Sequence, residues 1–383
     1  MVQPDYHGGG FANLIASCVE ASGGAASAPT AALAPPARLA QARNIILLLI
    51  DGLGHACLSG PGQGSTLAGK LAGRLTSVFP STTASAITTS YTGRAPYEHG
   101  LTGWHTYFSE VGGVVAPLPC KWRGTETALS PEQAQSIYRV PSMFDRLARR
   151  SIVVTFRPLI DSAYNRHHCG RADRRAYDKL DGMVGEIESA VKSGDEAKFI
   201  YAYWPEFDTI SHRHGVGSAQ AATHFAAIDA AFAELLQRLA GTETVIVASA
   251  DHGFIDCAPA DTQDLTARPE LTALLREPLC GERRAAFCHV RPGRKAEFMA
   301  RAQEWLGDKA EVRDCGAMLA EGWFGGGAPH PRINERVGDV ALLMRNRYTV
   351  IDRLPGEKHR DLIGNHGGAS ADEMYVPLIL AEA

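Results

Sequence analysis

The 383-residue chain is long enough for one large α/β domain with an insertion, or for two domains. Its 45% apolar content is ordinary for a soluble protein, and a net charge of -4 gives no general reason to expect nucleic acid or an acidic membrane as partner. No apolar run approaches the ~18 residues needed to cross a bilayer, so no membrane span is expected.

Residues 1–42 are rich in Ala, Gly and Pro around one short apolar segment at 11–19, which reads as an N-terminal arm packed on the main domain. The first ten residues carry no Lys or Arg, unlike the charged start of a secretion signal. Eight cysteines are scattered without a C-x-x-C pair and read as reduced, mostly buried thiols, so a cytoplasmic location is expected. The oligomeric state is not legible.

The continuous apolar run at 44–50 predicts a central parallel strand covered on both faces, stopping at Asp51-Gly52. The segment 79–93 is dense in hydroxyls. Pro80 stiffens its entry, Ser81 or Thr82 can cap a helix, and Gly93 can end one. A hydroxyl on the first turn of such a helix lies where free N–H groups and the macrodipole attract an anion. Predicted helices at 142–150, 173–192 and 218–239 precede predicted strands at 152–156, 199–204 and 244–250, and 375–380 is a last short strand. That alternation predicts an α/β fold: a mostly parallel central sheet with helices on both faces. Residues 255–350 break the rhythm, with strands at 286–290 and 340–344 and a helix at 294–306, and predict a small α+β insertion. The expected organisation is an arm (1–42), a catalytic core (43–254 plus 351–383) and the insertion (255–350).

In a parallel sheet, ligands gather beyond the carboxyl ends of the strands. Asp51 follows the first strand, Asp251-His252-Gly253 follows the strand ending at 250, Asp208 and His212 follow the strand ending near 204, and His366 lies in a glycine-rich loop before the last strand. Singly, each reads as a helix cap, a turn former or a solvated helix start. Together they bring acid and imidazole to one rim, and burying such groups is costly unless a cation binds them. Three His with three Asp suit two divalent ions, Zn²⁺ above all, and no cysteine joins the set. Two ions roughly 3.5–4 Å apart can clamp the attacking and leaving oxygens of an in-line displacement. A threonine hydroxyl on such an ion would lose its proton far more readily than in water.

With these motifs the chain resembles the alkaline phosphatase superfamily, and within it the type I phosphodiesterase/nucleotide pyrophosphatase group. The likeness rests on Asp51-Gly52, Phe79-Pro80-Ser81-Thr82-Thr83, Gly93-x-x-Pro96-x-x-His99-Gly100, Asp208-x-x-x-His212, Asp251-His252-Gly253 and His366-Gly367, and it covers roughly 44–253 and 360–380. It implies an alkaline phosphatase-like core with two zinc ions, one on Asp208, His212 and His366, the other on Asp51, Asp251, His252 and the nucleophile. By its offset from Phe79-Pro80 that nucleophile is Thr83, with Thr82 and Ser81 as the lesser alternatives. The implied activity is hydrolysis of small-molecule phosphodiester or pyrophosphate bonds through a covalent phosphothreonine.

Two departures bear on substrate. Ala84 stands where nucleotide-cleaving members place an aromatic, and Trp104 where many carry an oxyanion-holding Asn. Tyr203 remains a candidate stacking face, against a core reading. His105, Lys121 and Arg123 are candidate replacement donors, against a reading as solvated loop residues. His55, His99, His167 and His168 read as surface or packing histidines. A phosphomonoesterase or phosphonate C–P hydrolase is the enzymatic rival on the same metal cradle. A sulfatase lacks its C/S-x-P-x-R motif, and a phosphomutase would present Ser in place of Thr83. A non-catalytic, metal-stabilised binding module would have lost a ligand or the nucleophile, and none is lost.

Overall fold

The structure, a computed structural model, describes residues 1–125, 127–357 and 361–383. Seven strands form the central sheet in the order 71–76, 375–382, 244–249, 44–50, 198–204, 150–156, 173–177. Asn44–Ile50 lies at its middle, paired in parallel with Lys198–Trp204 on one side and Thr244–Ser249 on the other. All seven of its residues are buried, and successive side chains point to opposite faces, so both faces are covered. Tyr375–Glu382 runs antiparallel to both neighbours, which makes the sheet mixed at one side.

The alternation predicted from sequence is present in the middle of this sheet and fails at its margins. Helix Ala219–Arg238 and strand Thr244–Ser249 fall within a residue or so of expectation. The predicted helix over 173–192 is instead an edge strand, Asp173–Tyr177, followed by helix Leu180–Lys192. The predicted helix at 142–150 shrinks to one 3₁₀ turn, Met143–Arg146, after which Leu147 is already extended. Leu71–Thr76, which the pattern did not reveal, is the opposite edge. An edge strand has one neighbour and tolerates charge, so Asp173-Arg174-Arg175 and Leu71-Ala72-Gly73-Arg74 lack the apolar run that marks a covered strand.

Helix Phe11–Ala21 in the N-terminal segment is buried almost throughout and packs against helix Thr83–Thr92. A second, antiparallel sheet orders its strands 280–281, 285–288, 340–344, 310–314. It carries helix Lys295–Leu306 and a hydrophobic cluster of its own, from Leu265 to Val350. A third cluster joins the smaller sheet to the segment before the hydroxyl-rich helix: Phe79 packs against Phe287, Trp323 and Phe324 with ring centroids 6.5, 5.1 and 5.4 Å away. Among the described residues no helix is long and apolar enough to cross a membrane.

Candidate active site

Parallel strands end on one rim, and the register brings three of them level there: Leu49 pairs with Ser249, and Ile50 with Trp204. Asp51 therefore emerges beside Asp251 and His252. Lys198–Trp204 runs into helix Glu206–His214, where Asp208 and His212 share a face one turn apart. His366 enters from the last loop, held by Gly364–Asn365 pairing with Ile255–Asp256. The helix beginning at Thr83 is capped at its other end by Gly93, whose φ of 65° is the left-handed conformation expected of a terminating glycine.

The six donors converge in two adjoining groups. In one, His212 Nε2 lies 3.4 Å from Asp208 Oδ1 and 3.1 Å from His366 Nε2, and His366 Nε2 lies 3.7 Å from Asp208 Oδ1. In the other, His252 Nε2 lies 3.3 Å from Asp51 Oδ1, 3.5 Å from Asp251 Oδ2 and 3.2 Å from Thr83 Oγ1. His252 also links the groups, at 4.0 Å from Asp208 Oδ1, and its ring stacks on that of His366 at 3.7 Å.

Each histidine turns its Nδ1 to a backbone carbonyl: His212 to Gly364 at 2.9 Å, His252 to Gly253 at 3.1 Å and His366 to Ser81 at 3.3 Å. A carbonyl only accepts, so Nδ1 carries the proton and each Nε2 presents a lone pair to the cluster. His212 and His366 then face each other lone pair to lone pair at 3.1 Å. The carboxylates are left in the same condition. Asp51 Oδ1, Asp208 Oδ1 and Asp251 Oδ2 are buried without a hydrogen-bond partner among the described residues. Their other contacts are structural: Tyr203 donates its hydroxyl to Asp51 Oδ2, and the N–H groups of Gly52 and His252 donate to Asp251 Oδ1 at 3.0 Å.

Burial shifts these groups toward neutrality. It pushes the Asp251 carboxyl up to about 8, with the Asp51 charge adding to it, and the Asp208 carboxyl up to about 7. Asp51 is raised well above the carboxylate range by burial and then by Asp208. The imidazole of His212 is lowered to about 4 by burial, and that of His366 well below its usual value by burial and its two neighbouring histidines. Orphaned carboxylate oxygens opposite converging imidazole lone pairs are the surroundings in which divalent cations fit, because a cation satisfies every one of them.

The three hydroxyls at the helix start have separate fates. Ser81 Oγ donates to Gly368 O at 2.8 Å, and Thr82 Oγ1 to Glu282 Oε1 at 2.6 Å, leaving only Thr83 turned to the donor cluster. Thr82 is the N-cap residue, yet its side chain caps nothing. The N–H groups of Thr83, Ala84 and Ser85 have no hydrogen-bond partner among the described residues. That leaves the helix N-terminus open to an anion.

Of the two residues expected at the substrate, Tyr203 is buried, 7% exposed, and its hydroxyl is committed to Asp51. It supports a donor residue and offers little face for stacking. Trp104 is 41% exposed, and its backbone N–H donates to Glu282 Oε1. Arg123 is no solvated loop residue: it is half-buried and paired with Asp352 and Glu357. His105 is half-buried, with its imidazole lowered well below the usual range by desolvation and then by Arg123 and Arg283. His99 and His168 are buried in packing positions, His99 Nε2 lying 3.2 Å from Thr89 Oγ1 and His168 stacking near Tyr164. Glu282, Arg284 and Glu373, which touch the loops of this site, were not singled out from sequence. Glu282 and Arg284 lie in a hairpin outside every recognised motif, and nothing local marks them.

The model of the type I phosphodiesterase/nucleotide pyrophosphatase family matches residues 45–369, most of the chain. The chain belongs to that family. Membership makes it a hydrolase of phosphoric esters, in a family that works with divalent metal. The phosphodiesterase fold is shared with murine ectonucleotide pyrophosphatase/phosphodiesterase 5 (ENPP5) at 16% identity and a TM-score of 0.65, covering 87% of each chain. An inactive Thr-to-Ala variant of that protein has been solved in complex with AMP. Phosphonoacetate hydrolase from Sinorhizobium meliloti 1021, in complex with phosphonoacetate, shares the fold at 16% identity and a TM-score of 0.63, over 89% of this chain and 90% of the hydrolase. No curated protein matches the chain by sequence.

Proposed function

We propose that this phosphodiesterase-family enzyme cleaves phosphodiester or pyrophosphate bonds of small molecules through a covalent intermediate on Thr83. The observation that carries the reading is the pairing of unpartnered Asp51, Asp208 and Asp251 oxygens with histidine lone pairs around the Thr83 hydroxyl. Two divalent ions, Zn²⁺ from the His/Asp chemistry of the set, would be held by Asp208, His212 and His366 and by Asp51, Asp251, His252 and Thr83, and would supply Lewis-acid charge and a lowered hydroxyl pKa. Thr83 Oγ1 attacks phosphorus as its proton leaves to solvent. The Oγ–P bond forms while the bond from phosphorus to the leaving oxygen breaks, and that oxygen departs with the electron pair. The free N–H groups of Thr83, Ala84 and Ser85 receive the non-bridging oxygens. Water then attacks phosphorus, releases the phosphoryl product and restores the threonine.

The inactive Thr-to-Ala variant of murine ENPP5 supports a threonine in this role. Eight free cysteines, seven of them buried, support a cytoplasmic setting. The test is metal analysis together with turnover of an aryl phosphodiester by wild type and Thr83→Ala, and mass spectrometry of the acid-quenched enzyme. About two zinc ions per chain in both proteins, with turnover and a phosphorylated Thr83 peptide in wild type alone, is the expected result. Undiminished turnover in the variant would remove the nucleophile; bound metal without turnover on any phosphate ester would make the protein a binding module.

A further inference from the structure

Beside the nucleophile the smaller sheet places a carboxylate that the displacement above does not use. Glu282 lies in the turn between strands Cys280–Gly281 and Ala285–Cys288. Its Oε1 accepts two hydrogen bonds of 2.6 Å, from Thr82 Oγ1 and from the backbone N–H of Trp104. The side chain lies against Gly367, whose φ is +100° and where an added Cβ would come within 2.4 Å of Glu282 Cβ and Cγ. Glu282 is therefore wedged between the residue before the nucleophile and the residue after His366. It is near enough to Asp208 for its charge to push the Asp208 carboxyl up. Its Oε2 has no hydrogen-bond partner among the described residues.

The wedge is held firmly. Two residues along the same hairpin, Arg284 is fully buried and paired with Glu373 at 3.0 Å, and Glu373 Oε1 accepts from the N–H of Gly368 at 2.8 Å. A carboxylate in this position removes two donors, the Thr82 hydroxyl and the Trp104 N–H, from the reach of a phosphoryl oxygen and sets a negative charge beside it. For binding a phosphoryl group as such, that arrangement is a handicap. It becomes useful where one charge state of the group must be refused.

We propose that Glu282 reads substrate charge: it admits the monoanionic phosphoryl group of a diester and disfavours the dianionic group of a monoester. This selection rests on the phosphodiester reading of the site. At an effective dielectric of about 20, one extra like charge roughly 6–12 Å away costs an energy equivalent to about ten- to a hundredfold in a rate or binding constant.

Two experiments test it, both at pH 8.5, above the Glu282 value of about 7. In the first, kcat/KM is measured for an aryl diester and the matching aryl monoester. Glu282→Gln keeps the acceptor for Thr82 and Trp104 while removing the charge, and should shift the diester-to-monoester ratio toward the monoester by about tenfold or more. Glu282→Asp keeps the charge and should keep the preference. An unchanged ratio in Glu282→Gln, with melting temperature and metal content as in wild type, would overturn charge selection; an equal fall on both substrates would make Glu282 a prop for the Thr82 segment. In the second, calorimetry measures orthophosphate and dimethyl phosphate binding to metal-loaded Thr83→Ala and Thr83→Ala/Glu282→Gln. Tightening confined to orthophosphate supports the proposal, and equal changes for both anions overturn it. Binding needs no covalent step, so an enzyme without turnover would sink the phosphodiester reading while charge selection is still decided by the calorimeter.

Discussion

The two sheets serve this site by different physics. The central parallel sheet delivers donors: its covered strands end on one rim, and Asp51, Asp251 and His252 follow from where the chain leaves them, with Asp208 and His212 on the next helix. The smaller antiparallel sheet delivers no donor. It braces the segment before Thr83 through Phe287 against Phe79, ties down the His366 loop through Arg284 and Glu373, and sets Glu282 against Thr82. One sheet settles which chemistry the site can do, and the other bears on which substrate reaches it and how rigidly.

The contrast between the sheets is sharpest at Thr83. Thr83→Ala should lower turnover on the order of 10⁴-fold or more while zinc content stays the same, since a nucleophile acts as a unit with its surroundings. Inductively coupled plasma analysis beside initial rates checks both halves.

Next is removal of metal. Without a cation, the raised carboxyls of Asp208 (about 7) and Asp251 (about 8) favour the folded state only while protonated. That contribution is fully present below the unfolded-state value near 4 and is lost as pH rises through about 7 to 8. A chelated sample should therefore show a melting temperature that falls between pH 5 and 8.5, and added zinc should abolish the fall. A slope that is the same with and without zinc would detach these carboxylates from metal binding.

Arg284→Met probes the other sheet. Leaving Glu373 buried without its partner should cost about 3 kcal/mol of stability. It should also reduce kcat, because Glu373 holds the N–H of Gly368 beside the His366 loop. Denaturant unfolding and kinetics on one preparation would show whether the brace reaches the chemistry; a stability loss with unaltered kcat would confine the smaller sheet to substrate choice.

The smallest expected effect is that of Tyr203→Phe, which removes one hydrogen bond to Asp51. Support of this kind to a metal-binding group is typically worth about ten- to a hundredfold in metal affinity, and the lower end is expected for a single bond. A competition titration with a zinc indicator measures it.

Much of the candidate site's rim is legible in the residue order. Asp51 and Asp251 follow apolar runs long enough to be covered strands, and Asp208 and His212 have the spacing of one helical turn. The edges of the sheet were not legible, because Asp173–Tyr177 and Leu71–Thr76 are each covered by one neighbour and carry charges that blur the strand pattern. Tyr203 was read as a stacking face or core; only the packed structure points its hydroxyl to Asp51.

By itself, then, the order of residues determined which donors leave the ends of the central strands and that a hydroxyl-rich helix runs from the Ser81-Thr82-Thr83 segment to Gly93, since strand length, helical period and a terminating glycine are local properties of the chain. Tertiary structure alone decided what stands over that helix. Glu282 meets Thr82 across 200 positions and Arg284 meets Glu373 across 89. Contacts of that reach depend on how two sheets pack, and no local pattern encodes them.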